Sequence, residues 1–387
     1  MRFRLGINYW PRSSAMRMWS RFDRREIDAD LALLASLGFD TVRFFMLWEH
    51  FQPRAADLNE AALVQLEGLM DMLARHGLAA MPTFFTGHMS GVNWLPPWTL
   101  DDRKSCGRFR TLTDGGFSPL GVGDFYTGAL LEAQRLHVRT VGARLRGHPA
   151  LFAWDLGNEF SNLRVPNSRE SAERWSAVLA ADLRETSGAD TTAGTHGEDL
   201  SEDRNIRLSS LCAPLTFATM HGYTVYSGFA RDRLDPCVVP FLFSLTASFS
   251  AKPVLFSEFG NPTCPKQSAG AAQFACLSET EMCAYGQAVL ERLHAAGALG
   301  AFWWCYADYD EALRASPPFD GAPHEMSFGI VRADGSAKPI AATLSDFAAE
   351  RRSVIAPAPP QLDEAAYYAG LPASLSDAYG AYLRPTV

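Results

Sequence analysis

The sequence predicts an α/β barrel, the (β/α)8 or TIM barrel, with long loops on its catalytic face and a short C-terminal extension. Eight short apolar runs, typical of buried strands, alternate with amphipathic stretches of helical length. Glycine recurs where several of those helices should end, at Gly38, Gly77, Gly188 and Gly297. No G-x-G-x-x-G pattern follows the first run, so a Rossmann-type sheet is the less favoured alternative.

The strand-like runs are short and bounded by polar or turn residues, and the fifth is the weakest. They are predicted at Phe3–Asn8, Thr41–Met46, Leu78–Phe85, Leu151–Leu156, Thr191–Thr195, Leu215–Met220, Val254–Ser257 and Leu299–Trp304. Helices are predicted between and after them, at Arg24–Leu37, Asn59–His76, Asp124–Arg146, Ser168–Ser187, Ile206–Leu211, Val239–Phe249, Ser278–Ala296 and Ile340–Arg351.

The chain is predicted to form one catalytic barrel over residues 1–352. A length of 387 residues would allow two or three domains, but no linker-like stretch occurs before about residue 351. The tail from Ser353 is rich in Pro, Ala and Tyr. We expect residues 353–387 to form an extension that packs on the barrel or is only partly ordered.

Composition excludes several classes of protein. The chain is 47% apolar and 20% charged, which is ordinary for a globular protein, and its net charge of −8 disfavours binding to a phosphate backbone. No run approaches the roughly 18 apolar residues of a membrane span, and the N-terminus lacks the apolar core of a signal peptide. We therefore expect no nucleic-acid or membrane partner and a cytoplasmic location.

The seven cysteines are scattered and include no C-x-x-C pair. Free thiols in a reducing cytosol are the favoured interpretation over a disulfide framework or a zinc site. The oligomeric state is not readable, although tail aromatics, if exposed, would leave room for an interface. Those aromatics are Tyr367, Tyr368, Tyr379 and Tyr382.

Two segments place a glutamate directly after a predicted strand. One reads A-W-D-L-G-N-E-F and contains Asn158 and Glu159, and the other reads K-P-V-L-F-S-E-F-G and contains Glu258. A carboxylate at the C-terminal end of a barrel strand is more often catalytic than structural. Two of them could supply the acid/base and the nucleophile of glycoside hydrolysis.

Other strand ends carry the residue types that a sugar site needs. Aromatic faces stack on pyranose rings, polar side chains bind hydroxyls, and an arginine keeps a nearby carboxylate ionised. The candidates are Arg43 on strand two, His88 after strand three, His221 and Tyr223 after strand six, Trp303 and Trp304 on strand eight, and Trp94 in the loop after strand three.

This set resembles the retaining glycoside hydrolases built on (β/α)8 barrels, and most closely glycoside hydrolase family 5 with its β-mannosidase and β-mannanase branches. The resemblance spans roughly Leu5 to Trp304. It implies that Glu159 is the general acid/base, Glu258 the nucleophile and Asn158 the residue that binds the sugar 2-hydroxyl. It also assigns substrate binding to Arg43, His88, His221, Tyr223 and a strand-eight tryptophan, either Trp303 or Trp304.

This chemistry sets requirements for the two carboxyls. The acid must hold a proton near neutral pH, so the pKa of Glu159 should be raised, whereas Glu258 must be ionised with help from Arg43 and Tyr223. For retention the carboxyls should stand about 5–5.5 Å apart. No cofactor is expected.

Structural interpretations compete with these roles. The glutamates could form ion pairs with neighbouring helices, the histidines could be core residues, and Trp48, Trp94 and Trp98 could be plain packing. A metal site formed by His88, His221, Glu159 and Glu258 is a minor alternative. The acidic run at Glu198, Asp199, Glu202 and Asp203 is expected to be a solvated loop face.

Two long loops bear on the substrate class. The loop at about 86–123 and the loop at about 305–328 are aromatic, and the first is stiffened by proline, which suits a walled pocket better than an open cleft. We expect an exo-acting β-mannosidase on small oligosaccharides, then an endo-β-mannanase, then a β-glucosidase or β-galactosidase. A catalytically silent sugar-binding barrel is the alternative of a different class, and the presence of both glutamates speaks against it.

Overall fold

The computed structural model of the protein describes residues 1–263 and 276–384. Eight parallel strands close into a barrel in chain order, with the last strand pairing with the first, so the predicted fold class is confirmed. The barrel strands are β1 (Arg4–Tyr9), β2 (Thr41–Leu47), β3 (Ala79–Thr86), β4 (Ala153–Asn158), β5 (Asp190–His196), β6 (Ala218–His221), β7 (Val254–Phe259) and β8 (Gly300–Trp303).

Helices surround the barrel where the amphipathic stretches predict them. They are α1 (Arg24–Ser36), α2 (Glu60–Arg75), α3 (Gly128–Arg144), α4 (Arg169–Thr186), α5 (Val238–Ser250), α6 (Glu279–Ala295) and α7 (Pro339–Ala349). Short helices occur at Trp48–Phe51, Gly197–Ser201 and Leu208–Leu211. Side-chain caps fix several starts: the Asn59 carboxamide accepts from the first turn of α2, and Ser278 and Glu281 form a capping box on α6.

The threonine-rich fifth strand is fully formed because its hydroxyls find partners inside the barrel. The hydroxyls of Thr192 and Thr219 lie 3.1 Å apart, and Thr195 donates to the Thr219 carbonyl at 2.6 Å. A buried hydroxyl without such a bond would be costly. The weak hydrophobic signal of this strand is thereby explained.

The floor of the barrel is apolar and closely packed. A separate cluster of Met81, Ala153, Phe217, Leu255 and Phe302 is buried there. An added Cβ at Gly6 would lie 2.2 Å from the Phe302 ring, so this strand passes the ring only because residue 6 has no side chain.

The two long loops have structure of their own. The loop after β3 contains a four-stranded sheet and a two-stranded sheet, built from short strands between His88 and Val122. The loop after β8 contains 3-10 helices at Glu311–Leu313 and Pro323–Ser327. Both loops rise on the side of the barrel where the strands end.

The tail from Ser353 contacts the rest of the chain through two helices, α8 (Glu364–Ala369) and α9 (Ala373–Tyr382). Tyr367, Tyr368 and Tyr379 are buried, each at most 5% exposed, so the expectation that the tail aromatics are exposed is wrong for these three. Their hydroxyls bond to the loops after β5 and β6. The division of the chain into a barrel and an extension stays a prediction.

The cysteines depart from the expectation at one position. Cys106, Cys212, Cys237, Cys283 and Cys305 are free thiols. The expectation of free thiols is wrong for Cys276, which is disulfide-bonded. Disulfides are rare in a reducing cytosol, so the cysteines no longer support a cytoplasmic location. The remaining cysteine, Cys264, lies outside the described residues.

Within the described residues, no helix is both long enough and apolar enough to cross a bilayer.

Replacing Gly6 by alanine should lower the free energy of unfolding by about 1–3 kcal/mol, because the new methyl group must displace the Phe302 ring in a closely packed interior. Urea unfolding followed by tryptophan fluorescence measures the change. Gly228→Ala is the matched control, since a Cβ there would contact nothing within 4 Å. Equal unfolding midpoints for the two variants would contradict this packing argument.

Candidate active site

The carboxyl ends of the barrel strands open into a cavity of about 710 Å³. Its walls come from β3, β4, β5, β6, β7 and β8, from the two long loops and from the C-terminal tail. Ligand sites of TIM barrels lie at this face. Eight of the ten predicted site residues belong to this site: seven line the cavity, and Arg43 lies beneath it, bonded to two of them. The seven are His88, Asn158, Glu159, His221, Tyr223, Glu258 and Trp304.

Arg43 is the centre of a buried polar network beneath the cavity. Its guanidinium donates to Asp155 from Nε at 2.9 Å and from Nη2 at 2.7 Å, and Nη1 donates to Glu258. It also donates to the side-chain oxygens of Asn8 and Asn158, each at 2.9 Å. The hydrogen bonds of the guanidinium thus go to side chains of β1, β4 and β7, which fixes these strands relative to one another.

A glycine makes room for this network. An added Cβ at Gly194 would lie 2.4 Å from the Gly157 carbonyl oxygen and 3.3 Å from Nη2 of Arg43. The hydrogen bond from the Glu159 amide to the Gly194 carbonyl crosses the same point at 2.9 Å. A side chain at position 194 would therefore disturb both the arginine and the backbone of Glu159.

Glu258, at the end of β7, is almost fully buried and accepts a hydrogen bond at each carboxylate oxygen. Arg43 donates to Oε1, and the Tyr223 hydroxyl donates to Oε2 at 2.6 Å. Nδ1 of His221 lies 3.4 Å from Oε1. These donors stabilise the ionised form of the side chain.

Glu159 follows β4 in a left-handed backbone conformation, with φ at 47° and ψ at 43°. Such a conformation is unfavourable for glutamate and persists where surrounding bonds impose it. Oε1 lies 3.1 Å from Nδ1 of His221, and Oε2 accepts from the Asn162 side chain at 3.3 Å. Among the described residues no arginine bonds to this carboxylate, which distinguishes it from Glu258.

The two carboxylates are close. One oxygen of Glu159, one oxygen of Glu258 and a ring nitrogen of His221 all lie within 4.8 Å of one another. Inverting glycosidases need carboxyl groups about 6.5–9.5 Å apart to admit a water, whereas retaining enzymes place them about 5–5.5 Å apart. The observed spacing is short enough for one carboxylate to attack the carbon whose leaving oxygen the other protonates.

The pKa directions differ from those expected. Burial raises the pKa of Glu159, but the imidazoles of His196, His221 and His88 outweigh burial and bring it below its usual value. Burial raises the pKa of Glu258, while His221 and Arg43 oppose this effect. The expected order of the two pKa values is thus wrong for the structure as it stands, because three imidazoles surround the acid and the sequence predicts only two of them.

The two predicted histidines lie on either side of Glu159. His88 bonds through Nδ1 to Asn93 at 2.8 Å, and its Nε2 lies 3.8 Å from Oε2 of Glu159. Burial lowers the pKa of His88, while Glu159 and the hydrogen bond to Asn93 oppose this effect. His221 presents Nδ1 to both carboxylates, and its buried Nε2 has no hydrogen-bond partner.

The structure separates the three predicted tryptophans. Trp304 lines the cavity. Trp303 does not, because it points to the opposite side of β8, packs on Phe259 and donates to the Phe328 carbonyl at 3.1 Å. Trp94 is buried in the small sheet of the β3 loop and is not among the cavity-lining residues, so its assignment and that of Trp303 to substrate binding are wrong on position.

A chain of hydrogen bonds that the sequence analysis missed starts at His196, the last residue of β5. Nε2 of His196 lies 2.9 Å from the Ser161 hydroxyl, and that hydroxyl donates to Asp199 at 2.6 Å. Because the single hydroxyl proton goes to Asp199, Nε2 of His196 must carry a proton. The signal available in the sequence was a histidine at the end of the weak fifth strand.

The acidic run after β5 is a solvated face at Glu202 and Asp203, which are exposed, but not at Asp199 and Glu198. Asp199 is buried, and Glu198 accepts from Arg108 at 2.8 Å and also from Arg204. Glu198, Glu202 and Arg108 line the cavity. The pairing of Glu198 could not be predicted, because Arg108 is distant in sequence and Arg204 is separated from Glu198 by a turn.

The opposite wall carries a second polar group. Tyr226 donates to Oε1 of Glu325 at 2.7 Å, and the Ser90 hydroxyl donates to Oε2 at 3.0 Å. Both loops therefore contribute to one carboxylate on the cavity wall. Glu325 lies in the second of the two long loops that the sequence predicts, and the sequence analysis did not assign it to the site.

The trio of Glu159, His221 and Glu258 has the atom types and spacing that could hold a metal ion. Hydrogen bonds already engage both oxygens of Glu258, one of them from a cation. Because Glu258 is already paired with the positive charge of Arg43, the site favours an organic substrate over a metal ion.

Comparisons with known proteins agree with this geometry. No protein-family model matches the chain, and no curated protein matches it. Among solved structures, an exo-β-1,4-mannosidase from Opitutaceae bacterium strain TAV5 is 28% identical over 90% of this chain, with a TM-score of 0.73. The chain spans 60% of that protein's length.

Two further structures share the fold at lower identity. A GH5_18 variant from Streptomyces cattleya in complex with Manβ1-4GlcNAc is 21% identical over 98% of this chain and 90% of its own, with a TM-score of 0.81. A GH5_18 protein from Bifidobacterium longum subsp. longum ATCC 55813 is 22% identical over 94% of this chain and 84% of its own, with a TM-score of 0.78.

The fold is therefore that of glycoside hydrolases built on (β/α)8 barrels. The resemblance to glycoside hydrolase family 5 that the sequence predicts is confirmed, since two of these structures are GH5_18 proteins and the third is an exo-β-1,4-mannosidase.

Replacing Tyr223 by phenylalanine should raise the pKa of Glu258, because a hydrogen bond to the ionised form is lost. The ionised nucleophile would then disappear at a higher pH, so the acidic limb of the kcat/KM profile should move upward by about 0.5–1 pH unit. Tyr285→Phe is the matched control, since its hydroxyl lies 3.0 Å from that of Thr224. A folded Tyr223→Phe variant with an unmoved acidic limb would contradict the assignment.

Proposed function

We propose that this protein is a retaining β-glycoside hydrolase that removes terminal β-mannosyl residues from small oligosaccharides. One observation carries the mechanism: the half-buried Glu159 and the buried Glu258 lie side by side at the ends of β4 and β7, and among the described residues only Glu258 of the two bonds to an arginine. The two side chains thus have the different environments that different roles require.

The first step is attack by Glu258 on the anomeric carbon. A carboxylate oxygen of Glu258 forms a bond to that carbon as the glycosidic C–O bond breaks, and Glu159 gives its proton to the leaving oxygen. Two carboxyls this close titrate as a pair. The imidazoles around Glu159 favour its ionised form in this structure, so Glu159 must take up its proton when the sugar binds, while Arg43 and Tyr223 hold the negative charge on Glu258.

The second step reverses the roles. Glu159, now a carboxylate, takes a proton from water, and the water oxygen bonds to the anomeric carbon as the bond to Glu258 breaks. Nδ1 of His221 lies close to both carboxylates, so the imidazole can interact with whichever of them is negatively charged. Asn158 keeps a free amide hydrogen for the sugar 2-hydroxyl, since its other contacts are to Arg43 and the His88 carbonyl.

The substrate assignment rests on the shape of the cavity and on the similar structures. The loops after β3 and β8 meet over one wall through Ser90 and Glu325, and Arg110 pairs with Asp320 across them at 2.6 Å. A wall formed by two joined loops suits a pocket for a terminal sugar. The exo-β-1,4-mannosidase and the complex with Manβ1-4GlcNAc support a β-mannoside as that sugar.

Replacing Glu258 by glutamine should lower kcat by about 10³-fold or more, because the amide cannot form the glycosyl intermediate. Glu159→Gln should lower kcat/KM by about 10²–10⁴-fold for oligosaccharides and far less for activated aryl glycosides, which need no proton donor. Nitrophenyl β-mannoside and β-1,4-mannobiose give the comparison, and the exposed Glu132→Gln is the control. Equal losses of kcat/KM on both substrates for Glu159→Gln would contradict the assignment of Glu159 as the general acid.

Digestion of β-1,4-mannohexaose should release mannose from the first minutes if the joined loops close the cavity beyond the terminal sugar. High-resolution chromatography of early time points measures the products, with Glu258→Gln as the inactive control. Early di- and trisaccharides with little mannose would favour an endo-β-mannanase. Hydrolysis of β-glucosides or β-galactosides alone would keep the mechanism and replace the sugar, and no hydrolysis at all would favour a silent sugar-binding barrel.

A further inference from the structure

The C-terminal tail reaches the catalytic cavity. Pro372, Leu375 and Ser376, at the start of α9, line the same cavity as Glu159 and Glu258. These residues lie more than 100 positions after Glu258 in the sequence and outside the barrel elements. The tail is therefore positioned to contact a bound substrate.

Hydrogen bonds hold the tail firmly in this place. Tyr368 donates to the Asp199 carbonyl at 2.6 Å, and Tyr367 donates to the Leu200 carbonyl at 3.0 Å. Tyr379 donates to the Asp235 carboxylate at 2.6 Å. The tail thus spans from the helix after β5 to the loop after β6, and three buried hydroxyls fix its distance from the cavity.

The anchors of the tail are on the loops after β5 and β6, the two strands that stand between β4, which leads to Glu159, and β7, which carries Glu258. Glu159 contacts β5 directly, because its amide donates to the Gly194 carbonyl. A general acid must reach the oxygen of the leaving group. A leaving group that extends from Glu159 along the loop after β5 therefore meets the tail.

The surface that the tail adds is apolar. Leu375 and Pro372 share the cavity wall with Phe229 and Leu242, whereas Ser201 and Glu202 supply polar atoms beside them. A pyranose ring has an apolar face of C–H groups and a polar rim, so this combination of surfaces suits a sugar ring.

We propose that the C-terminal tail forms the wall of the leaving-group subsite and binds the apolar face of the sugar that is released. This inference rests on the proposed function and extends it to specificity: the tail selects glycosides whose leaving group is a pyranose. In this proposal the tail surface takes no part in cleaving the glycosyl bond, because the described hydrogen bonds of Arg43, Glu159 and Glu258 include none to Leu375 or Ser376.

Two substrates separate leaving-group binding from chemistry. A β-linked disaccharide fills the leaving-group subsite, whereas the β-glycosyl fluoride of the same sugar releases only a single atom and leaves the tail untouched. Leu375→Ala should lower kcat/KM for the disaccharide by about tenfold through a higher KM, since an apolar contact of this size is worth about 1–3 kcal/mol. Its kcat/KM for the fluoride should stay unchanged.

A second variant and a control keep the test decisive. Ser376→Trp, at an exposed position, should obstruct the disaccharide while leaving fluoride hydrolysis intact, and it spares the packing under Leu375. Leu362→Ala, in the same tail but outside the cavity, should change neither substrate. Disaccharide kinetics that stay unchanged in both cavity variants, or equal losses on both substrates, would overturn the inference. Failure of the unmodified protein to hydrolyse either substrate would instead contradict the proposed function.

Discussion

The site depends on one buried cation. Arg43 lies in the barrel interior with no exposure to solvent, and such a charge is tolerated only when it is paired and fully hydrogen-bonded. Asp155 and Glu258 supply two carboxylates, and Asn8 and Asn158 supply neutral acceptors. Every strand that carries one of these partners must keep its register, because a shift of one residue would turn the partner to the other face of the sheet.

The neutral partners extend this constraint around the barrel. The Asn8 side chain donates to the carbonyls of Ser257 at 2.9 Å and Trp303 at 3.2 Å, so β1 is tied to β7 and β8 as well as to the arginine. The single guanidinium of Arg43 pairs with two buried carboxylates, those of Asp155 and Glu258, and cannot neutralise both. The hydrogen bond from Tyr223 and the nearby imidazole of His221 stabilise the remaining negative charge on Glu258.

The sequence was sufficient for the fold and for the centre of the site, because both depend on patterns that are local along the chain. Each barrel strand is a short apolar run, Arg43 lies within β2, and Asn158, Glu159 and Glu258 lie at or next to strand ends. Residues whose role depends on distant partners could not be predicted in this way. The ring of His196 is oriented by Ser161 and Asp199. Glu198 is only half-exposed because it pairs with Arg108 from another loop.

The errors have the same origin. Trp303 and Trp304 are adjacent, and only the side of the strand that each occupies decides which one lines the cavity. The tail tyrosines were expected on the surface because composition says nothing about which loops their hydroxyls would meet. The reversed pKa directions of the two glutamates arise from the number of imidazoles around Glu159, which is a property of packing and not of any single motif.

The central claim is that Glu258 becomes covalently bound to the sugar. A 2-deoxy-2-fluoro β-mannosyl fluoride slows both steps but keeps a good leaving group, so it should leave the intermediate trapped on the protein. Intact-mass spectrometry should show one added fluoromannosyl group, and peptide mapping should place it on Glu258. An adduct on another residue, or complete turnover with inverted configuration and no adduct, would contradict the account.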